Sequence, residues 1–324
     1  MAGVLQSGSH EALPAPDPGW RSGWPALAAL GATALSVPEA LGGSGVQPEV
    51  AAATAAELGA ALHGSPFAGL LACASALAAA APADARAADA LAAIVAGDRI
   101  GAYGRLDASS STARNVDGAP AADLLVLHDP ATGDLVLIDD RGAWTEREDL
   151  APFDLSRSSA DVTIEPGRGH RLAADPTAEH LFHLLLAADA LGGTERVLAR
   201  TVAYAGDRQA FGRPIGGFQA VQHRLADHAV RTRGISLLVR EAARSIARGA
   251  PDIPRRVALA EAGASSGAGH ILHDLLQLTG AIGFTWEYGL HAFQRRVHQD
   301  ARLAANPRRA RFELASIEGW TGGR

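Results

Sequence analysis

The apolar residues of this chain change period twice, and that double switch limits the folds open to it. Toward both ends they recur at the three-to-four spacing of a helix face; in the middle they gather into short runs of Leu, Val and Ile. From residue 1 to about 103 the chain is rich in alanine and leucine, and Glu49 to Leu62, Leu70 to Ala81 and Asp84 to Ala96 are expected to be helices. Asp84 is a predicted N-cap, with Pro82 and Gly97 as stops. Ala122 to His128 and Asp134 to Asp139 flank the turn sequence Asp129-Pro130-Ala131-Thr132-Gly133, which predicts a β-hairpin, and Ala160 to Glu165 reads as a further strand. From Pro176 onward helical spacing returns. Phe218, Val221, Leu225 and Ala229 recur at helical spacing, as do Ile235, Leu238, Ala242 and Ile246, and Gly249 and Pro251 end that helix. Arg255 to Thr279 and Glu287 to Leu303 follow, and Pro307 can open a last helix. The expected fold class is α+β, mainly α: a helical domain over 1–103, a small reduced β domain over 104–172 and a helical bundle over 173–324.

With 324 residues, 48% of them hydrophobic, the chain can bury a large core. The net charge is -6 and all the cationic side chains are arginine, so the overall basic bias of nucleic-acid binders is missing. The most apolar stretch, Phe67 to Ala81, is shorter than the ~20 residues of a membrane span. One cysteine, Cys73, rules out a disulfide within the chain and fits a reducing cytoplasm; its apolar neighbours predict a buried small hydrophobe. No basic region followed by an apolar stretch opens the sequence, so no signal peptide is expected.

Two motifs carry chemistry. Arg208-Gln209-Ala210-Phe211-Gly212-Arg213-Pro214-Ile215, followed by Phe218-Gln219-Ala220-Val221-Gln222-His223, reads as a joint between helices that holds an arginine fork at a rigid corner. Gln277-Leu278-Thr279-Gly280-Ala281-Ile282-Gly283-Phe284 reads as a glycine turn whose backbone N–H groups a phosphate can approach. Either motif alone is as well explained by a turn between helices.

In this order and roughly 70 residues apart, the pair resembles the acyl-CoA dehydrogenase family. Val37-Pro38-Glu39, Gly42-Gly43-Ser44-Gly45 and Glu57-Leu58-Gly59 follow the same family's N-terminal pattern. The resemblance implies an N-terminal helical domain, a β domain and a C-terminal four-helix bundle, and FAD as cofactor. By position, Arg208 and Phe211 would contact the FAD of one site, and Gln277, Gly280, Ala281 and Gly283 would line its adenosine and pyrophosphate end, partly from a neighbouring subunit. Ala281 departs from the second glycine usual there.

The family removes the α proton of an acyl-CoA thioester with a carboxylate, held after the arginine-rich helix or on the first bundle helix. Counting from Arg295-Arg296 leads to Ala304, Ala305 and Asn306, and counting back from Arg208 leads to Phe182, so neither place holds an acid. Glu179, one turn before Phe182, is the nearest carboxylate and a weak candidate. Asp300 is expected to be solvated, and His183, His291 and His298 are expected to serve packing or the surface rather than catalysis. The resemblance thus implies a subunit that lacks the base and pairs with a second acyl-CoA dehydrogenase-like subunit that carries it, as in bacterial steroid side-chain degradation. The alternatives are a homo-oligomer using the fold for other chemistry, as in natural-product assembly, and a non-catalytic structural subunit.

Overall fold

The computed structural model describes residues 19–108, 110–147, 153–304 and 307–320. Four helices come first: α1 (Trp24–Ala29), α2 (Pro48–Ala60), α3 (Phe67–Ala80) and α4 (Ala85–Val95). Seven strands follow: β1 (Gly101–Arg105), β2 (Thr112–Asp117), β3 (Leu124–His128), β4 (Leu135–Ile138), β5 (Trp144–Glu146), β6 (Ser159–Ile164) and β7 (His170–Leu172). The C-terminal half holds α5 (Pro176–Asp207), a small hairpin of β8 (Gln209–Ala210) and β9 (Arg213–Pro214), then α6 (Gln219–Ala247), α7 (Ile253–Gly263), α8 (Gly269–Thr279), α9 (Leu290–Leu303) and α10 (Pro307–Ile317).

The expected hairpin is β3 with β4, antiparallel with Leu125 opposite Ile138. Its runs lack alternation because both faces are covered. Leu124 and Val126 pack toward the helices, while Leu125 and Leu127 join Val136, Trp144, Val162 and Ile164 in a second core between two sheets. One sheet has the order β1-β3-β4-β7, with β1 parallel to β3; the other has the order β2-β6-β5. The β region is thus fuller than its sequence shows. Strand β2 carries Arg114, Asn115 and Asp117 and is broken by a bulge where Asn115 takes φ 53°, so no alternating apolar pattern marks it.

The first three predicted helices match α2, α3 and α4, and the Asp84 carboxylate accepts from the Ala87 N–H at 3.0 Å as an N-cap. Cys73 is fully buried, and burial pushes its thiol upward. The stretch expected as one helix from Arg255 to Thr279 is interrupted by a wide turn at Ala264–Ala268, which separates α7 from α8.

Helix α5, 32 residues long, is the axis of the molecule and packs against α2, α3, α6, α7, α8 and α9. It meets α2 at backbone contact: a Cβ on Gly192 would lie 1.8 Å from the Ala56 carbonyl oxygen, and one on Gly59 would lie 2.1 Å from that of Asp189. The sequence Glu57-Leu58-Gly59 therefore has a packing reason for its glycine.

Candidate functional site

A cleft of about 360 Å³ opens where the β region meets the start of α5 and the ends of α9 and α10. Strand β1 supplies Tyr103 and Arg105, β3 supplies His128, α5 supplies Glu179, Phe182 and His183, and the C-terminal helices supply Arg302 and Arg309. The Tyr103 and Phe182 rings lie 5.3 Å apart and form an apolar wall. Phe182 is buried, so the helix position expected for a base presents hydrocarbon to this cleft.

Glu179 lines the same cleft one turn earlier. Its Oε1 accepts from Arg309 at 2.8 Å and from Arg105 at 3.3 Å. Burial alone would push its carboxyl upward; the neighbouring His183 and the Arg309 hydrogen bond and charge outweigh that and hold it at about 2. A carboxylate so stabilised is a poor proton acceptor. The other carboxylate on the cleft, Asp107, accepts from Arg114 at 2.7 Å. His183 lies 3.0 Å from Glu261 on α7, at the edge of the cleft. Ala304, the described member of the second base position, is buried; Ala305 and Asn306 lie outside the described residues.

Behind the cleft lies a set of buried charges that joins the β region to the bundle. Arg157 donates to Asp117 at 2.6 Å and to Asp300 at 2.7 Å, while Arg296 donates to Asp189 at 2.9 Å and to the Ser156 hydroxyl at 2.8 Å. Asp300, expected in solvent, is therefore buried. Spacing along α9 could not place it, because its hydrogen-bond partner Arg157 lies 143 positions away in sequence. Burial and the charge of Asp189 push its carboxyl well up, whereas Arg296 and Arg157 overcome burial to hold Asp189 below its ordinary value.

The two sequence motifs lie far from this cleft. Arg208 caps the C-terminal end of α5, roughly 40 Å along the helix from Glu179 at about 1.5 Å per residue. Its exposed guanidinium makes no ion pair with another described residue. Phe211 and Gly212 form the two-residue turn of the β8–β9 hairpin with φ 52° and 77°. Phe211 is 96% exposed there, in a backbone conformation that bulky residues avoid. Gln277 and Ala281 are exposed and Gly283 is buried, and Gly280 takes φ 65°, ψ -146°, a conformation open to glycine. The motifs approach one another through Tyr204, one turn before Arg208, whose ring lies 6.1 Å from that of Tyr288 just after the glycine loop.

This end of the chain offers an arginine with no ion pair among the described residues, an exposed ring at a left-handed turn, and Gly280 with open space where a Cβ would stand. The arginine corner stands at the opposite end of α5 from the cleft.

Residues 180–304 match the family model described as acyl-CoA dehydrogenase, C-terminal domain. Acyl-CoA dehydrogenase IpdE2 of Mycobacterium tuberculosis is 36% identical over 293 residues, which cover 90% of this chain and 84% of that protein. The chain belongs to the acyl-CoA dehydrogenase family. Its fold is shared with the ChsE4-ChsE5 complex from Mycobacterium tuberculosis, with a TM-score of 0.80 at 24% identity over 94% of this chain and 89% of that one. A variant of the Tcur3481-Tcur3483 steroid ACAD gives a TM-score of 0.80 at 23% identity over 92% and 88%. Acyl-CoA dehydrogenases usually bind FAD. Tyr103, Arg105, His128, Arg302 and Arg309 have no counterpart among the sequence candidates. They come from four separate elements, and no local spacing connects them.

Proposed function

We propose that this chain is the subunit without a base in a heteromeric acyl-CoA dehydrogenase. It completes the flavin site of a second acyl-CoA dehydrogenase-like subunit that carries the carboxylate. The observation behind this is the content of the cleft: Phe182 stands at one base position, and the adjacent Glu179 is held ionised by His183 and Arg309. Arg208, Phe211, Gln277, Gly280, Ala281 and Gly283 would hold the FAD phosphates and adenosine across the subunit boundary. Bound FAD would take the hydride from the β carbon of an acyl-CoA thioester. Arg208 would supply a fixed positive charge to the FAD phosphates, and the open space beside Gly280 would allow close approach of the backbone. The relatives named IpdE2, ChsE4-ChsE5 and steroid ACAD favour a steroid-derived acyl group and an unlike pair of subunits. Among the described residues no helix is long and apolar enough to cross a membrane.

The test is dye reduction with an acyl-CoA and added FAD. The isolated chain is expected to be inactive, since removal of a general base alone costs ~10²–10⁴-fold, and activity should appear with the carboxylate-bearing partner. Activity of the chain alone that Glu179→Gln abolishes would overturn this reading and make Glu179 the base.

A further inference from the structure

The cleft between β1, α5 and α10 is built for something other than a thioester base. Arg105, Arg114, Arg302 and Arg309 face two carboxylates, Asp107 and Glu179, so two positive charges are left uncompensated before any histidine is counted. Arg302 makes no ion pair with another described residue. Arg105 and Arg309 both rest on the same oxygen of Glu179, and each guanidinium keeps further N–H donors for another acceptor. A second, independent feature points the same way. Tyr103 lines this cleft and is 3% exposed, and its buried hydroxyl meets no hydrogen-bond partner among the described residues. Burial, reinforced by the charge of Glu179, pushes that phenol upward, so it stays a neutral O–H donor. A buried donor without an acceptor costs free energy that a bound oxyanion restores.

We propose that the cleft of this chain is a binding site for a small organic molecule bearing a carboxylate. The carboxylate lies among Arg302, Arg309 and the Tyr103 hydroxyl, and its carbon chain lies against the Phe182 ring. The class follows from the lining. Planar arginine forks match a two-oxygen carboxylate, and the Phe182 wall suits hydrocarbon, which an inorganic phosphate lacks. At about 360 Å³ the cleft stands at the small end of ligand sites. The source is either a free organic acid or the far carboxylate of a dicarboxylic acyl-CoA.

Isothermal calorimetry on the full chain, without flavin or partner, tests this with adipate, 1,6-hexanediol and pyrophosphate as probes. Adipate is expected to bind and hexanediol is not. Arg302→Gln and Tyr103→Phe should each weaken adipate roughly tenfold while the unfolding midpoint of Arg302→Gln stays at the wild-type value. Tighter binding of adipoyl-CoA than of adipate identifies the thioester as the source, and the reverse identifies the free acid. No heat with adipate, equal binding of hexanediol, preference for pyrophosphate, or binding unchanged in both variants would overturn the proposal. Because neither flavin nor partner is present, failure here leaves the subunit reading standing.

Discussion

Arg157 and Asp300 meet at 2.7 Å with both side chains buried, and this bond ties the approach to β6 to helix α9. Arg157 is also the partner of Asp117. Replacing it with alanine leaves the buried Asp117 and Asp300 side chains without their shared donor, at a cost of about 3–5 kcal/mol. Denaturant unfolding should show that loss. A variant within about 1 kcal/mol of wild type would mean that the bond is not a structural tie.

Asp300 itself should tolerate loss of its charge. Its folded carboxyl is raised above the ordinary value of 3.8, so the folded state holds a proton that the unfolded state releases. That contribution is present at low pH and declines as pH rises past the unfolded value. Asp300→Asn keeps an oxygen for Arg157 and removes the buried acid. The variant is expected to be at least as stable as wild type at pH 7, with stability that falls less as pH rises. A loss as large as that of Arg157→Ala would refute this.

Glu179 carries the opposite sign. Its folded value, about 2, lies below the ordinary 4.5, so its contribution is complete above pH 4.5 and is lost as pH falls toward 2. Glu179→Gln should cost about 1–2 kcal/mol at pH 7 after allowance for partial exposure. It should also flatten the acid limb of the stability curve, as thermal unfolding from pH 5 to pH 2.5 would reveal.

Phe211 separates chain stability from assembly. At 96% exposure it contributes no burial, and its φ of 52° costs about 1–2 kcal/mol in strain. Phe211→Gly should leave the isolated chain as stable or more so. In the assembled, flavin-loaded complex the same change, like Arg208→Ala, should weaken FAD retention, by roughly tenfold or more for the arginine. Flavin absorbance after gel filtration reads both, and full retention in both variants would remove this end from the flavin site.

Gly192→Ala should be among the most damaging single-methyl changes in the chain. The new Cβ falls 1.8 Å from the Ala56 carbonyl oxygen, and backbone cannot move aside as a side chain does. The cost should exceed the ~1–3 kcal/mol typical of overpacking, measured as a shift in the denaturation midpoint. Gly206→Ala, with nothing near the added Cβ, is the control on the same helix.

The sequence by itself determined the order of the layers, because helical and strand periods record which faces are buried, and that record is local. It placed α2, α3, α4 and α6, the β3–β4 hairpin and the Asp84 cap in this way. The arginine corner and the glycine loop were legible for the same reason: turns that need φ above zero write Gly212 and Gly280 into the chain. Strands β1, β2, β5 and β7 were not legible. Their pairing partners lie outside any local window, and β2 carries polar residues at positions that the tertiary fold buries, such as Asp117. Only the tertiary structure decided the cleft. Arg105, Glu179 and Arg309 are separated by 74 and 130 positions, and their shared carboxylate oxygen exists only once β1, α5 and α10 have packed. Burial likewise decided the state of Asp300: on α9 alone it is one more acid on a helix, and inside the fold its solvent is replaced by two arginines and a second aspartate.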